Sequence, residues 1–165
     1  MRGNPNVTIR PFDPADEAAI LSWCRDEETF FLWTAGVLGP YPLRPEDFGK
    51  TAAHLRFTAL EGGEPAGFFI LRYPAESREI LRVGFVIVDP DRRRRGIGNA
   101  MLRLGAAYAK ETLRALKLTL GVFEDNAPAC ACYASVGFRE TGAREIYSLR
   151  GKDHIALEME LGLGE

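Results

Sequence analysis

Three cysteines, two histidines and no long apolar run set the first limits on this chain of 165 residues. Cys24, Cys130 and Cys132 cannot all pair with one another, which argues against a disulfide scaffold. Cys130 and Cys132 stand two apart, with no second cysteine pair and no histidine cluster, so no zinc pattern is present and no metal is expected. Three reduced thiols in a cytoplasmic protein are expected instead. The longest apolar runs are short, such as Ala66–Leu71. None approaches the roughly 20 residues of a membrane helix. The opening Met1-Arg2-Gly3-Asn4-Pro5-Asn6 lacks the apolar core of a secretory signal. An excess of one charge is lacking as well. Lys and Arg number 21 and Asp and Glu 23, a net of −2, which excludes a basic field over the whole protein for nucleic acid. What is present is ordinary for a globular domain: 46% hydrophobic and 27% charged residues. The length suits one domain, 1–165.

Val7–Arg10 has the composition of a short strand. Asp13-Pro14 resembles a helix N-cap followed by proline, and the spacing predicts a helix to about Arg25. Glu28–Trp33 is a second candidate helical turn, Gly36–Leu43 a loop, and Pro45 opens a helix to about His54. Leu55–Leu60, Ala66–Tyr73 and Leu81–Val88 are strand candidates close in sequence, which predicts an antiparallel meander. Ile97, Met101, Leu104 and Tyr108 keep a helical period. Leu116, Leu118, Leu120 and Val122 alternate with polar or small residues as a strand does. Asn126–Ser135 is a short Ala-rich helix. Phe138–Leu149 and Ile155–Leu161 form a hairpin around Gly151-Lys152-Asp153. The unit Leu81–Val122 is strand, helix, strand, which places two strands parallel with a right-handed crossover. The fold class is α/β (α+β), with one central mixed sheet and helices on its faces.

The most informative stretch is Val86-Ile87-Val88-Asp89-Pro90-Asp91-Arg92-Arg93-Arg94-Arg95-Gly96-Ile97-Gly98-Asn99. A strand ends, the chain turns and a helix starts. Gly96 and Gly98 lack Cβ, so backbone N–H groups there can approach a ligand closely. The first N–H groups of the helix have no intrahelical partner, and the helix terminus is positive. Arg93, Arg94 and Arg95 add fork-shaped donors, so this turn can hold phosphate. A P-loop would need Gly-Lys-Ser/Thr, which is absent. A dinucleotide fingerprint would need a third glycine where Met101 stands. A nucleic-acid patch or nuclear-localisation run is a competing reading of four arginines. The negative net charge and the lack of interleaved aromatics weigh against it.

Arg93-Arg94-Arg95-Gly96-Ile97-Gly98 resembles the Arg/Gln-x-x-Gly-x-Gly/Ala motif of the GNAT superfamily of N-acetyltransferases. Downstream, Asn126 through Phe138 resembles that family's Asn-x-x-Ala-x-x-x-Tyr-x-x-x-Gly-Phe segment, with Asn126, Ala129, Tyr133, Gly137 and Phe138 in the matching places. The two motifs stand 28 residues apart, with a helix and a strand between them. The resemblance covers Ala66–Leu161 well and the first 50 residues loosely. It implies a sheet of six to seven strands, mostly antiparallel, and acetyl-CoA (coenzyme A) as the bound cofactor. It implies that the loop amides and helix start, Arg93 to Asn99, hold the pyrophosphate. It implies that the backbone of Val86, Ile87 and Val88 runs beside the pantetheine arm like an added strand, and that Asn126 contacts the arm.

Tyr133 is the catalytic candidate under that resemblance. A free phenol titrates near pH 10 and a free thiol near 8.5, so a neutral phenol can hydrogen-bond to or protonate a departing thiolate. Such an acid contributes roughly 10–10³-fold. The general base is left open. One branch of the family carries Glu where this chain has Gly121, and another where it has Arg82. Glu28, Glu79 and Glu124 are the remaining candidates, and a water chain or an amine of low pKa would need none. The resemblance implies that residues 1–54 supply the acceptor-site helices and 55–165 the sheet and the acetyl-CoA-binding core. Trp23, Phe30, Phe31 and Trp33 are candidates to line the acceptor pocket. The acids Asp13, Asp16, Glu17, Asp26, Glu27 and Glu28 would suit a cationic amine. Residues 1–50 carry a net of −3 and residues 91–103 a net of +4, so the neutral total conceals two opposed regions. The expected activity is acetyl transfer from acetyl-CoA to a primary amine of a small molecule or protein by direct attack in a ternary complex. The alternative is a non-catalytic acyl-CoA-sensing module of the same fold. Neither nucleic acid nor membrane is an expected partner; a homodimer is compatible with the resemblance.

Overall fold

Alternation of apolar residues produces seven strands among the residues that the computed structural model describes, 4–164. Residues 1–3, the start of the Met1–Asn6 stretch that lacks the apolar core of a signal, and residue 165 lie outside them. The strands are β1 Val7–Pro11, β2 Leu55–Glu61, β3 Glu64–Arg72, β4 Ile80–Val88, β5 Lys117–Phe123, β6 Arg139–Leu149 and β7 Lys152–Gly162. They form one sheet in the order β1-β2-β3-β4-β5-β7-β6. Every neighbouring pair is antiparallel except β4 with β5, which is parallel. The predicted meander is β2–β3–β4, and the parallel pair is joined by helix α4, Ile97–Glu111. The mixed, mostly antiparallel sheet matches the expected class. Alternation alone does not give the order at the far edge, where β7 enters between β5 and β6. Their hairpin closes on Arg150 and Gly151, whose φ values are 56° and 76°. A two-residue loop with both φ positive follows the twist of the paired strands, so the turn sits one residue earlier than expected.

The remaining helices are α1 Glu17–Ser22, α2 Glu27–Thr34, α3 Pro45–Phe48 and α5 Ala127–Val136. The helix expected from Asp13 to about Arg25 is divided into a 3₁₀ turn, Pro14–Asp16, and the short α1. Asp16 accounts for the division. Its carboxylate turns back to the Asp13 N–H at 3.0 Å and accepts from Arg10 at 2.7 and 2.8 Å. The helix expected from Pro45 to His54 is likewise α only to Phe48, then 3₁₀ over Gly49–Ala53.

Successive strand residues point to opposite faces, so the central strands β3 and β4 feed two cores. Phe69 and Leu71 of β3 join Leu81, Leu118, Leu120 and Met101 under α4 and α5. Phe68 and Ile70 join Ile20, Trp23, Phe30, Trp33 and Phe48 under α1 and α2. Burying each such side chain contributes about 1.5–3 kcal/mol before chain entropy is counted. The site lies where the strands between these two cores part.

Candidate active site

β4 and β5 pair only over Ile80–Arg82 and Lys117–Thr119. β4 continues to Val88 and β5 to Phe123, but past Arg82 neither edge has the other as partner, while β5 stays paired with β7 along its length. The result is a splay whose β4 edge has no partner strand. On its other side β4 bulges. Phe68 faces Ile87 and Ile70 faces Gly84, so Phe85 and Val86 together oppose Phe69. Phe85 has φ 48°, an uncommon value for a bulky residue. The Trp33 indole N–H donates to the Phe85 carbonyl at 2.9 Å. In a trans peptide the C=O and the next N–H point in opposite directions, so this bond also fixes the Val86 N–H. Phe85 was not among the expected site residues; Trp33, expected to line the acceptor pocket, is 8% exposed and holds the bulge instead. Trp33→Phe keeps an aromatic six-membered ring but removes the donor and part of the buried indole. It should cost about 1–3 kcal/mol of stability, because the carbonyl loses its partner and the smaller ring packs less well. It should also lower kcat several-fold with little change in the acceptor KM; an unchanged kcat would show that the bulge holds its shape without Trp33.

The turn after β4 is built by backbone requirements. Arg94 and Gly96 adopt φ values of 65° and 70°, and Gly96 is the residue that opens α4. Gly98 answers a packing need as well as any ligand: a Cβ there would stand 3.0 Å from Cys132 Sγ on α5. The arginines divide. Arg92 meets Glu61 at 2.8 Å and Glu64 at 2.6 Å, which fastens the turn to the β2–β3 hairpin. Arg95 shares Glu61 at 2.9 Å and stays half exposed. Arg93 and Arg94 are exposed and make no ion pair among the described residues. Asn99 is fully buried; its amide donates to Ser135 Oγ and its oxygen accepts from Arg103, each at 2.9 Å. The side chain is therefore not free for a cofactor, and only the backbone N–H of Asn99 remains to meet an anion. Ile97 is likewise buried by its side chain, as is Ile87, while Val86 and Val88 are half-buried.

Asn126 caps α5, its Oδ1 accepting from the Ala129 N–H at 3.4 Å. Two turns on from that cap, Tyr133 is 7% exposed, with its ring edge-on to Phe138. Its hydroxyl makes no hydrogen bond among the described residues, yet none of their buried side-chain polar atoms is left unsatisfied. The small exposed part of Tyr133 therefore includes the hydroxyl. Burial, with Cys132 and Cys130 nearby, raises the phenol above its ordinary range and keeps it protonated at neutral pH. The thiols move the same way. Burial, then Asp26, raises Cys24 to about 11, and burial raises Cys130 and Cys132. None is poised as a thiolate nucleophile.

Residues 18–138 match the model of the acetyltransferase (GNAT) family. The chain belongs to the GNAT family. Among its relatives, the L-amino acid N-acetyltransferase of Escherichia coli is 33% identical over 70 residues, 42% of this chain and 43% of that protein. The ribosomal protein bS18 alanine N-acetyltransferase of Escherichia coli is 32% identical over 94 residues, 57% of this chain and 61% of that protein. The chain thus spans about two-fifths to three-fifths of the length of these relatives. In overall shape it resembles the spermidine N-acetyltransferase of Vibrio cholerae, solved with CoA and spermine. There the TM-score is 0.80 at 17% identity, covering 97% of each chain.

The acceptor side of this GNAT chain differs from expectation. Trp23 and Phe30 are 4% and 3% exposed and belong to the core under α1 and α2. Phe31 is the half-buried one; it stacks on His154, which meets the edge of Phe123. The acidic segment is not a free rim either. Asp13 and Asp26 cap helices, Asp16 is buried against Arg10, and Glu27 pairs with Arg150 at 3.2 Å. Of the candidate bases, Glu28 is exposed in the first turn of α2, Glu79 is exposed just before β4, and Glu124 pairs with Arg144. At the foot of the splay Arg82 donates to Glu158 at 2.8 and 3.1 Å and to Thr119 at 3.2 Å. No described helix is long and apolar enough to cross a membrane.

Proposed function

We propose that this GNAT chain is an acetyl-CoA-dependent N-acetyltransferase that acts on a primary amine of a small molecule or peptide within a ternary complex. The observation that carries the reading is the β4–β5 splay, whose β4 edge has no partner strand, with Tyr133 in the core that Val86 and Val88 pack against. An amide-bearing arm suits that edge, because it can satisfy backbone groups a missing strand leaves free. Val86 to Val88 would hold the arm. The amides from Gly96 to Asn99, with Arg93, Arg94 and Arg95, would hold the pyrophosphate. Asn126 would contribute its side-chain N–H₂, since its oxygen is engaged in the cap. Acetyl-CoA brings the activated thioester. The Val86 N–H, fixed through the Trp33 bond to the Phe85 carbonyl, would donate to the thioester carbonyl oxygen and stabilise the charge that develops there. Tyr133 holds a proton for the sulfur as the C–S bond breaks. The protonated thiols of Cys24, Cys130 and Cys132 support direct attack over a covalent enzyme intermediate.

The acceptor range follows the relatives' names, which include free amino acids, a polyamine and a protein alanine. A single domain, a cytoplasmic location and a homodimer complete the reading. The free cysteines support the second, and the exposed outer strand β6, with Ile146 67% exposed, supports the third. The test is release of CoA thiol from acetyl-CoA across a panel of amines. At least one amine should drive release well above hydrolysis. Binding of acetyl-CoA with no release from any amine would favour the sensing module instead.

A further inference from the structure

Resting on the transferase reading, we propose that Glu158 of β7 is the proton acceptor for the attacking amine, and that Arg82 is its positioning residue. The placement comes from register. In the β5–β7 ladder Glu158 lies directly opposite Gly121, so its side chain stands on the same face as that of Arg82. Gly121 has no side chain to intervene; a Cβ there would be 3.0 Å from Arg82 Nη2. The Glu158 carboxylate therefore reaches over β5 to Arg82, with Thr119 as the third member of the cluster. A carboxylate thus comes to the foot of the splay from a neighbouring strand, beside two positions, Arg82 and Gly121, that carry none.

The face is the opposite one from Tyr133. Leu118, Leu120 and Val122 of β5 point with Tyr133 into the core under α4 and α5, so Thr119 and Gly121 point away from it. An amine approaching the splay from the Glu158 side would meet the acetyl carbonyl from one face while the sulfur leaves toward the other. The protons balance on that arrangement. The ammonium gives one proton to a Glu158 oxygen, directly or through one water, and its freed pair forms the C–N bond. The C–S bond breaks, Tyr133 supplies a proton to sulfur, the nitrogen loses its second proton to solvent, and solvent reprotonates the phenolate. Glu158 returns its proton to solvent. Each carboxylate oxygen has two lone pairs, so Glu158 can accept from Arg82 and from a substrate N–H together. Glu158 is 31% exposed by its side chain, which leaves room for that contact.

Arg72 of β3 stands opposite Arg82 on this face and makes no ion pair among the described residues, so it adds positive charge beside the Arg82–Glu158 pair; the other charged groups here have partners or flanking places. Lys117 pairs with Glu160 and His154 with Asp125, while Arg139 and Glu145 stand on β6 opposite Glu160 and Ala156.

The experiment is the rate of CoA release against pH for wild type, Glu158→Gln and Glu158→Asp. It uses an amine from the panel and is accompanied by calorimetric titration with acetyl-CoA. Glu158→Gln should lose at least about tenfold in kcat/KM at neutral pH, and the gap should narrow as pH rises toward the amine's own pKa, near 10 for a lysine-like amine. Acetyl-CoA affinity should be unchanged, and Glu158→Asp should recover part of the rate. A wild-type rate in Glu158→Gln, or a deficit that is the same at every pH, would overturn the assignment while leaving the transferase reading intact. If wild type itself turns over no amine, both fail.

Discussion

Tyr133→Phe is expected to slow acetyl transfer by roughly 10–10³-fold while leaving acetyl-CoA affinity nearly unchanged. The ring is part of the core under α4 and α5 and packs on Phe138, and phenylalanine keeps that packing. The hydroxyl makes no hydrogen bond within the described chain, so its removal leaves no orphaned partner. Whatever is lost is therefore lost from the reaction. Steady-state rates with acetyl-CoA and an accepted amine give kcat, and calorimetry gives cofactor binding. Burial raises the phenol's pKa, so it stays protonated above its ordinary range. The wild-type rate should accordingly show no fall near pH 10 from this group. Equal losses in rate and affinity would mean that the hydroxyl serves binding and not the leaving group.

Asp16→Ala is expected to cost about 2–4 kcal/mol of stability, because it orphans the buried Thr58 hydroxyl and removes charged hydrogen bonds, while the Arg10 side chain left behind is 38% exposed and can turn to water. Asp16 is 3% exposed and accepts from both Arg10 nitrogens, the Asp13 N–H and the Thr58 hydroxyl. It therefore ties β1, the first helical turn and β2 together. Its removal leaves the buried Thr58 hydroxyl and the Arg10 guanidinium without their acceptor. For a domain of this size the melting temperature should fall by roughly 10 °C. The pH dependence carries a second check. The Arg10 hydrogen bond, with the Asp13 N–H and Thr58, overcomes burial and lowers Asp16 to about 2. A carboxylate lowered on folding contributes stability that is fully present above its unfolded value near 4 and is lost as pH falls toward 2. The gap between wild type and Asp16→Ala should thus be full at neutral pH and shrink across that window. Calorimetric melts at pH 7 and below read both, and a shift under about 2 °C at pH 7 would contradict the role.

The parts of the fold readable from residues alone were those where backbone geometry demands a particular side chain. Gly96 must open α4 with a positive φ, and Gly98 must let α4 close on Cys132. Such needs put glycine at fixed places, so the turn and its distance to Tyr133 stand out. The β2–β3–β4 meander was readable for a similar reason, since alternation and short turns are local. Long-range register is not local. Nothing near Gly121 in sequence indicates that Glu158 lies across from it. Orientation within an all-apolar segment is equally hidden. Phe30, Phe31 and Trp33 lie on one short helix, and only packing shows that Phe30 enters the core, Trp33 reaches the Phe85 carbonyl and Phe31 meets His154. The acids of 13–28 resembled a surface field because composition counts charges without their partners. In the fold several are caps or ion pairs.

The most direct test of the central claim is calorimetric titration of the protein with acetyl-CoA. A donor site at the β4–β5 splay predicts saturable heat at one acetyl-CoA per chain and a rise in melting temperature that grows with ligand concentration. No heat and no thermal shift at saturating acetyl-CoA would contradict it.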